Sequence, residues 1–341
     1  MAGIDWQRFS TIVGRHQRFL LTSHIRPDCD ALGSELGMAG ILAALGKDVL
    51  IVNGQATPPN LQFIDPEHQL KTLDAHLSAD QLHDREVLII LDTSAWAQLG
   101  PMAEVVRGSQ ALRVVLDHHV GEDDLAAEWF KETSAEATGR IVAEAAAALG
   151  VRITSRMAEA LFAAIATDTG WFRFASTSSA TLRCAGQLID AGARPAQIYA
   201  QLYEQDTLPR LQLRGRILAR TRTELDGRLA YTAVFRDDFA ATGALPSDTE
   251  DVVNLTLAVA GTQAAVIFVE QPAGGYKISF RSRTDKLDCN AVAKSFGGGG
   301  HKAAAGAFVG LPWEQAQQQV LGAVRGALQA GEAGPGRLQS S

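Results

Sequence analysis

An α/β protein of two domains is predicted by three observations. Apolar runs in the first half each end in a cluster of His and Asp: Phe19 to Thr22 before His24, Asp28 and Asp30; Val87 to Leu91 before Asp92; Leu112 to Leu116 before Asp117, His118 and His119. Helix-like stretches lie between these runs, and around Leu208-Pro209 the pattern changes to a second set of strands. The length of 341 residues also favours two domains. The expected architecture is an N-terminal domain with a mostly parallel sheet of about five strands, plus a smaller C-terminal α/β domain, with the active site in the cleft between them.

The apolar runs are continuous rather than alternating, which suits strands buried on both faces of a parallel sheet. Ala31 to Leu45, Thr138 to Leu149 and Ser155 to Thr167 read as helices, the last closing on Asp168. Thr181 to Ala191 and Pro195 to Gln205 read as a helical bridge. In the second half, Leu229 to Phe235, Ala264 to Val269 and Tyr276 to Phe280 read as strands. Thr249 to Ala260, Asn290 to Phe296 and Trp313 to Leu328 read as helices, with a glycine-rich segment over Gly297 to Gly306. The expected boundaries are 1–190 for the first domain, 191–215 for a helical linker, 216–331 for the second domain and 332–341 for a flexible tail. In such sheets ligands bind beyond the carboxyl ends of the strands, which is where every polar cluster of the first half falls.

A hydrophobic content of 46% with only 11 prolines supplies two cores and excludes disorder or a fibrous repeat. No run of about eighteen apolar residues exists, so no bilayer span is expected. The amino terminus lacks the basic and apolar regions of a signal peptide. Cys29, Cys184 and Cys289 have no close pairing, so a reduced, cytoplasmic chain is expected. The net charge of −7 argues against a long track for nucleic acid, because phosphate neutralisation supplies most of such affinity. Any polyanion handled here should be small or met by metal ions.

In His24-x3-Asp28-x-Asp30, imidazole and carboxylates together suit Mn²⁺, Zn²⁺ or Fe²⁺, whereas Mg²⁺ alone prefers oxygen. Each member also has an ordinary structural role. Asp30 precedes a helix and suits its N-cap, and Asp92 suits a turn with Thr93 and Ser94. His118-His119 suits a surface pair and Asp168 a helix-terminal turn. Taken together, His24, Asp28, Asp30, Asp92, His118 and Asp168 are six candidate ligands for two ions about 3.5–4 Å apart. In the second half, the four glycines before His301 and Lys302 can form an anion nest against a flexible turn as the alternative. Arg281 and Arg283 flank Ser282 and match phosphate geometry, or are strand-edge charge. Trp171, Phe172 and Phe174 suit base stacking or a hydrophobic core strand.

These residues resemble the DHH phosphoesterase superfamily, named for the triplet standing here as Asp117-His118-His119. His24-x3-Asp28-x-Asp30-Ala31-Leu32-Gly33-Ser34 is similar to its first motif, Asp92 to its second and Asp168 to its fourth. The glycine-rich segment, with Ser279-Phe280-Arg281-Ser282, is similar to the DHH-associated C-terminal domain, so the resemblance spans roughly residues 10 to 330. One departure is Cys29, where another small residue is frequent.

The resemblance implies one Mn²⁺ on His24, Asp28 and Asp92 and another on Asp30, Asp92, His118 and Asp168, with Mg²⁺ or Co²⁺ as substitutes. His119 would face the substrate phosphate, with Asp117 as the second catalytic residue; Arg281, Ser282, Gly298, Gly299, Gly300 and His301 would bind substrate. By length and layout the chain resembles the subgroup of bifunctional oligoribonucleases and 3′-phosphoadenosine 5′-phosphate (pAp) phosphatases. That implies Mn²⁺-dependent hydrolysis of short RNA or DNA oligonucleotides to mononucleotides, and of pAp to AMP, by a homodimer. The low charge and a cleft between two small domains set the expected length at about two to five nucleotides, with no membrane as partner. Hydrolysis of cyclic di-AMP or linear dinucleotides is the alternative. A pyrophosphatase of the superfamily would carry a Ser-Arg-Lys-Lys-Gln run, which is absent, and a non-catalytic nucleotide-binding module would have lost ligands, which are all present.

Overall fold

The computed structural model describes residues 3–249 and 252–332. The chain divides into two compact units, Met1–Gln205 and Asp206–Ser341. The division falls inside the stretch expected as a linker.

The first unit runs α1 (Trp6–Arg15), β1 (Arg18–Thr22), α2 (Cys29–Ala44), β2 (Asp48–Asn53), β3 (Leu70–Thr72), β4 (Val87–Leu91), α3 (Trp96–Leu99), α4 (Met102–Gly108), β5 (Leu112–Asp117), β6 (Glu128–Lys131), α5 (Thr138–Ala148), α6 (Ser155–Asp168), α7 (Ser179–Asp190) and α8 (Pro195–Tyr203). Its six strands form a fully parallel sheet in the order β3-β2-β1-β4-β5-β6. The chain builds outward from β1 to β3, then returns to lay β4 against the other side of β1. The strand order therefore reverses between β1 and β4, with Phe19 paired to Val87 and Leu21 to Ile89. Such a reversal opens a crevice beyond the strand ends.

The apolar runs are continuous because both faces of the sheet are covered. Phe19, Leu21, Ile89, Leu91, Val114 and Leu116 join the core built with α2, α5 and α6. The alternate residues Leu20, Leu88, Ile90 and Val115 join a second core with Leu99, Met102 and Val106 of α3 and α4. Three strands lie outside the sequence expectation. In β2 the first half is exposed or half-buried and starts with Asp48, while β3 and β6 are edge strands of three and four residues that carry lysines.

The second unit runs α9 (Leu208–Ala219), β7 (Arg222–Glu224), β8 (Leu229–Val234), α10 (Arg236–Thr242), α11 (Val252–Thr256), β9 (Ala264–Glu270), β10 (Tyr276–Ser282), α12 (Cys289–Lys294), β11 (Gly299–Gly300), β12 (Ala304–Val309) and α13 (Trp313–Glu332). Its sheet has the order β11-β12-β10-β9-β8-β7 and is mixed, with β8 and β9 parallel and the other neighbours antiparallel. Val266, Phe268, Ile278 and Phe280 meet Val292, Val320 and Val324 on one face, and Ala265 and Ile267 meet Leu213, Ile217 and Val252 on the other. The helix expected over Thr249 to Ala260 is shorter: a 3-10 turn ends at Thr249 and α11 ends at Thr256. Of the expected tail, residues 333–341 lie outside the described residues. Among those described, no helix is long and apolar enough to cross a membrane.

Candidate metal centre and active site

The crevice where the strand order reverses is a cleft of about 640 Å³ lined by His24, Asp28, Asp92, His118, His119 and Asp168, with Ser94 and the Gly121–Asp123 segment also lining it. Each donor reaches it from the end of an element. His24 follows β1, and its Nδ1 lies 3.0 Å from the Ile25 carbonyl, which leaves Nε2 free, 3.3 Å from Asp92 and 3.8 Å from Asp28. Asp28 caps α2, its Oδ1 accepting from the backbone N–H of Asp30 and of Ala31 at 3.0 and 3.1 Å. The cap of α2 is therefore Asp28 rather than Asp30, and the same Asp28 is among the candidate ligands.

Asp30, two residues on in the first turn of α2, is buried at 1% exposure. Its two oxygens accept from the backbone N–H groups of Thr138 (2.8 Å) and Gly139 (2.9 Å), the first residues of α5. That helix end favours a carboxylate through its unpaired N–H groups. Asp92 directly follows β4 with φ +61, a left-handed conformation that aspartate tolerates better than most residues, and accepts from Thr138 Oγ1 at 2.9 Å. His118 follows β5; its Nδ1 lies 3.2 Å from the Ala135 carbonyl, and its Nε2 lies 3.5 Å from both Asp92 and Asp168 and 3.8 Å from Asp30.

Three groups of donors close enough to hold an ion result: His24, Asp28 and Asp92; Asp30, His118 and Asp168; and Asp92, His118 and His119. The six predicted ligands therefore converge, with Asp92 touching both sets. Burial, followed by the mutual repulsion of Asp30 and Asp92 with their acidic neighbours, pushes both carboxyls well above the usual carboxylate range, and burial raises Asp168 as well. Carboxylates crowded out of water in this way are at odds with their own charge unless cations meet them. The donor chemistry, imidazole nitrogens with carboxylate oxygens, fits a divalent transition metal.

Asp117 stands apart from that set. It is fully buried and faces His119, accepting from its backbone N–H at 3.1 Å and from Nδ1 at 2.8 Å. Burial works to raise the Asp117 carboxyl, but the bonds from His119 and from the Ser94 hydroxyl outweigh it and hold it below its ordinary value. The same bond raises His119 to about 9. His119 is the more exposed partner and lines the cleft.

The DHH family, N-terminal domain, matches residues 18–165, and the DHHA1 domain matches residues 227–330. A protein of Thermus thermophilus named bifunctional oligoribonuclease and PAP phosphatase NrnA is 32% identical over 307 residues, 89% of this chain and 88% of its own. The chain belongs to the DHH family. A protein of the same name from Bacillus subtilis is 26% identical, covering 90% of this chain and 93% of its own. The crystal structure of an exopolyphosphatase-related protein from Bacteroides fragilis shares the fold with a TM-score of 0.83 at 24% identity, over 96% and 97% of the two chains. The DHH family is metal-dependent, in keeping with the acidic and imidazole cluster.

In the DHHA1 region of this DHH protein, the predicted substrate residues gather at one end of the second sheet. Arg281 on β10 pairs with Ala304 on β12, and the His301 N–H donates to the carbonyl of that same Ala304 at 2.7 Å. Gly299 and Gly300 form β11 against Gly306 and Ala305. Gly300 adopts φ +146, and a Cβ there would stand 2.6 Å from the Ala304 carbonyl, so glycine is required. A Cβ at Gly298 would collide with the Gly306 carbonyl. His301 is exposed, while Ser282 is half-buried and bonds to Thr284. Lys302 is paired with Asp285 at 3.1 Å.

Trp171, Phe172 and Phe174 form no strand. They lie in a turn after Asp168, with Trp171 and Phe172 both at positive φ and Trp171 against Tyr199 and Tyr203 of α8. Sequence reading did not single out Thr138 and Gly139, which hold Asp30, nor Lys131, which stands behind Asp117. A small-residue pair opening a helix was the only local signal for the first two.

Proposed function

We propose that this DHH protein hydrolyses short oligonucleotides to mononucleotides and dephosphorylates pAp to AMP, with two divalent cations, manganese by preference of the donor set, in the cytoplasm where its three thiols stay reduced. The observation that carries the reading is a complete set of six donors at the strand-order reversal of a chain 32% identical, over most of both lengths, to a named oligoribonuclease and PAP phosphatase. His24, Asp28 and Asp92 would hold one ion and Asp30, Asp92, His118 and Asp168 the other. When bound, such ions neutralise the crowded carboxylates, polarise a phosphoryl group and acidify water.

The chain's own residues orient the rest. Hydrolysis breaks a P–O bond, puts the oxygen of water on phosphorus and leaves a proton for the departing oxygen. His119, with Nδ1 tied to Asp117, has Nε2 free to donate to a phosphoryl or departing oxygen. Thr138 and Gly139 hold Asp30 and Asp92 in place, so the donor geometry is set by the sheet and α5 before substrate arrives. Arg281 and His301, with the amides of the glycine segment, suit phosphate or base recognition.

The test is a product panel with Mn²⁺ comparing pAp, a dinucleotide, a pentamer, cyclic di-AMP and pyrophosphate, run on the wild type and on Asp92→Asn. The expected result is AMP from pAp and mononucleotides from the oligomers, with loss of about a hundredfold or more in Asp92→Asn, since that residue touches both donor sets. Turnover of pyrophosphate alone, or of cyclic di-AMP well above the dinucleotide, would overturn the reading.

A further inference from the structure

Lys131 is the last residue of β6 and pairs in register with Asp117, the last residue of β5. Its side chain is only 10% exposed and does not line the cleft. The ammonium donates to Ser94 Oγ at 2.9 Å and to the Gly121 carbonyl at 3.0 Å, and stands 3.4 Å from both Asp117 Oδ2 and Glu122. Ser94, itself buried, donates its hydroxyl to that same Asp117 oxygen. The other Asp117 oxygen accepts from His119. A continuous chain thus runs from Lys131 through Ser94 and Asp117 to the ring of His119.

Two physical needs meet at this lysine. A fully buried carboxylate requires donors or a cation close by, and Lys131 is the only ammonium or guanidinium that forms a salt bridge with Asp117 among the described residues. An ammonium has three hydrogens, and here they are shared among a serine, a backbone carbonyl and the acids, so the group ties strand β4's exit, the segment after the His pair and Asp117 to one point. Each tied segment presents something to the cleft: Ser94, Gly121 and Glu122, and His119.

We propose that Lys131 is a positioning residue of this site: from behind the cleft it fixes Asp117 and the Gly121–Glu122 segment, and through Asp117 it holds the His119 ring so that Nε2 meets the substrate phosphate. The proposal rests on the functional reading above, in which His119 faces that phosphate. Lys131 lies outside the cleft lining, so its removal is expected to act on turnover through His119 rather than on metal or substrate binding.

The experiment measures kcat and KM for a dinucleotide with Mn²⁺ in a double-mutant cycle. Lys131→Met keeps the length of the side chain but not its charge; Lys131→Arg keeps the charge; each is made in the wild type and in His119→Ala, with bound metal and Tm recorded. Lys131→Met is expected to lower kcat about tenfold while KM and metal content stay within about twofold, and Lys131→Arg to recover most of the loss. In His119→Ala, Lys131→Met should cause no further loss, because the group it acts through is gone. An equal loss in both backgrounds, or no loss in the wild type, would overturn the proposal. Should Lys131→Met fail to fold, Ser94→Ala interrupts the same chain and must show the same dependence on His119. A wild type inactive on the dinucleotide counts against the functional reading and removes the proposal with it, whereas an active wild type with additive losses sinks the proposal alone.

Discussion

Glu35 lies fully buried in α2, accepting from Asn53 Nδ2 at 2.8 Å, while Asn53 in turn accepts from the Ser23 N–H at 3.0 Å just before His24. Burial pushes its carboxyl from 4.5 up to about 7. The fold therefore favours the protonated acid: the stability this gives is complete below about 4.5 and is lost as pH rises through about 7. Glu35→Gln keeps an acceptor for Asn53 and has no charge to bury. It should match the wild type at pH 4 and exceed it at pH 8 by at most about 3 kcal/mol, read from denaturant melts at matched divalent-ion concentration. A stability difference independent of pH would mean that Glu35 is ionised throughout. At this scale the sequence exposed the residues whose chemistry is unusual for their position. Asp117-His118-His119 after an apolar run and His24-x3-Asp28-x-Asp30 were legible for that reason. Asp28 shows what was not: the sequence offered Asp30 as the cap of α2, and only the backbone conformation moves that role to Asp28, itself a candidate ligand. The two positive φ values at Trp171 and Phe172 were equally hidden, since nothing local demands them.

Helices α2 and α6 carry two of the acids, Asp30 at one start and Asp168 at the other end, so their separation sets part of the donor geometry. They meet across Gly33, Gly37 and Gly40. A Cβ at Gly33 would stand 2.4 Å from the Ala160 carbonyl, which is backbone and cannot turn away. At Gly40 the nearest atoms belong to the flexible Met157 side chain. Gly33→Ala should therefore destabilise the protein by about 1–3 kcal/mol and weaken divalent-ion binding, whereas Gly40→Ala, which gains helix propensity and displaces only a side chain, should cost less on both counts. Calorimetric titration with Mn²⁺ alongside thermal melts separates the two. Equal ion affinity in Gly33→Ala and wild type would show that the helix contact does not set the site. Among elements, β1, β4 and β5 were legible because burial on both faces leaves an unbroken apolar run. β3 and β6 were not, since edge strands tolerate charge, and β12 is built from small residues whose strand character comes from pairing with β10.

At the scale of the whole molecule, the change of pattern near residue 208 was enough to separate two α/β units, and His24, Asp92 and His118 follow strands of the parallel sheet, where such sheets place ligands. The contacts that tune the site were not: Lys131 meets Ser94 across 37 residues, and only the register of β5 with β6 brings it to Asp117. The molecule's charge bears on substrate length. With 31 basic against 38 acidic residues, the chain has no surplus of cations to follow a long phosphate backbone. The decisive experiment is kcat/KM for a dimer, a pentamer and a 24-mer of RNA with Mn²⁺ at two salt concentrations. Rapid turnover of the dimer and pentamer is expected, with a steep fall for the 24-mer and a shallow salt dependence, since each phosphate neutralised on a single strand adds only about 0.7 to the slope of log affinity against log salt. A 24-mer degraded as fast as the dimer, with a steep salt slope, would contradict that expectation.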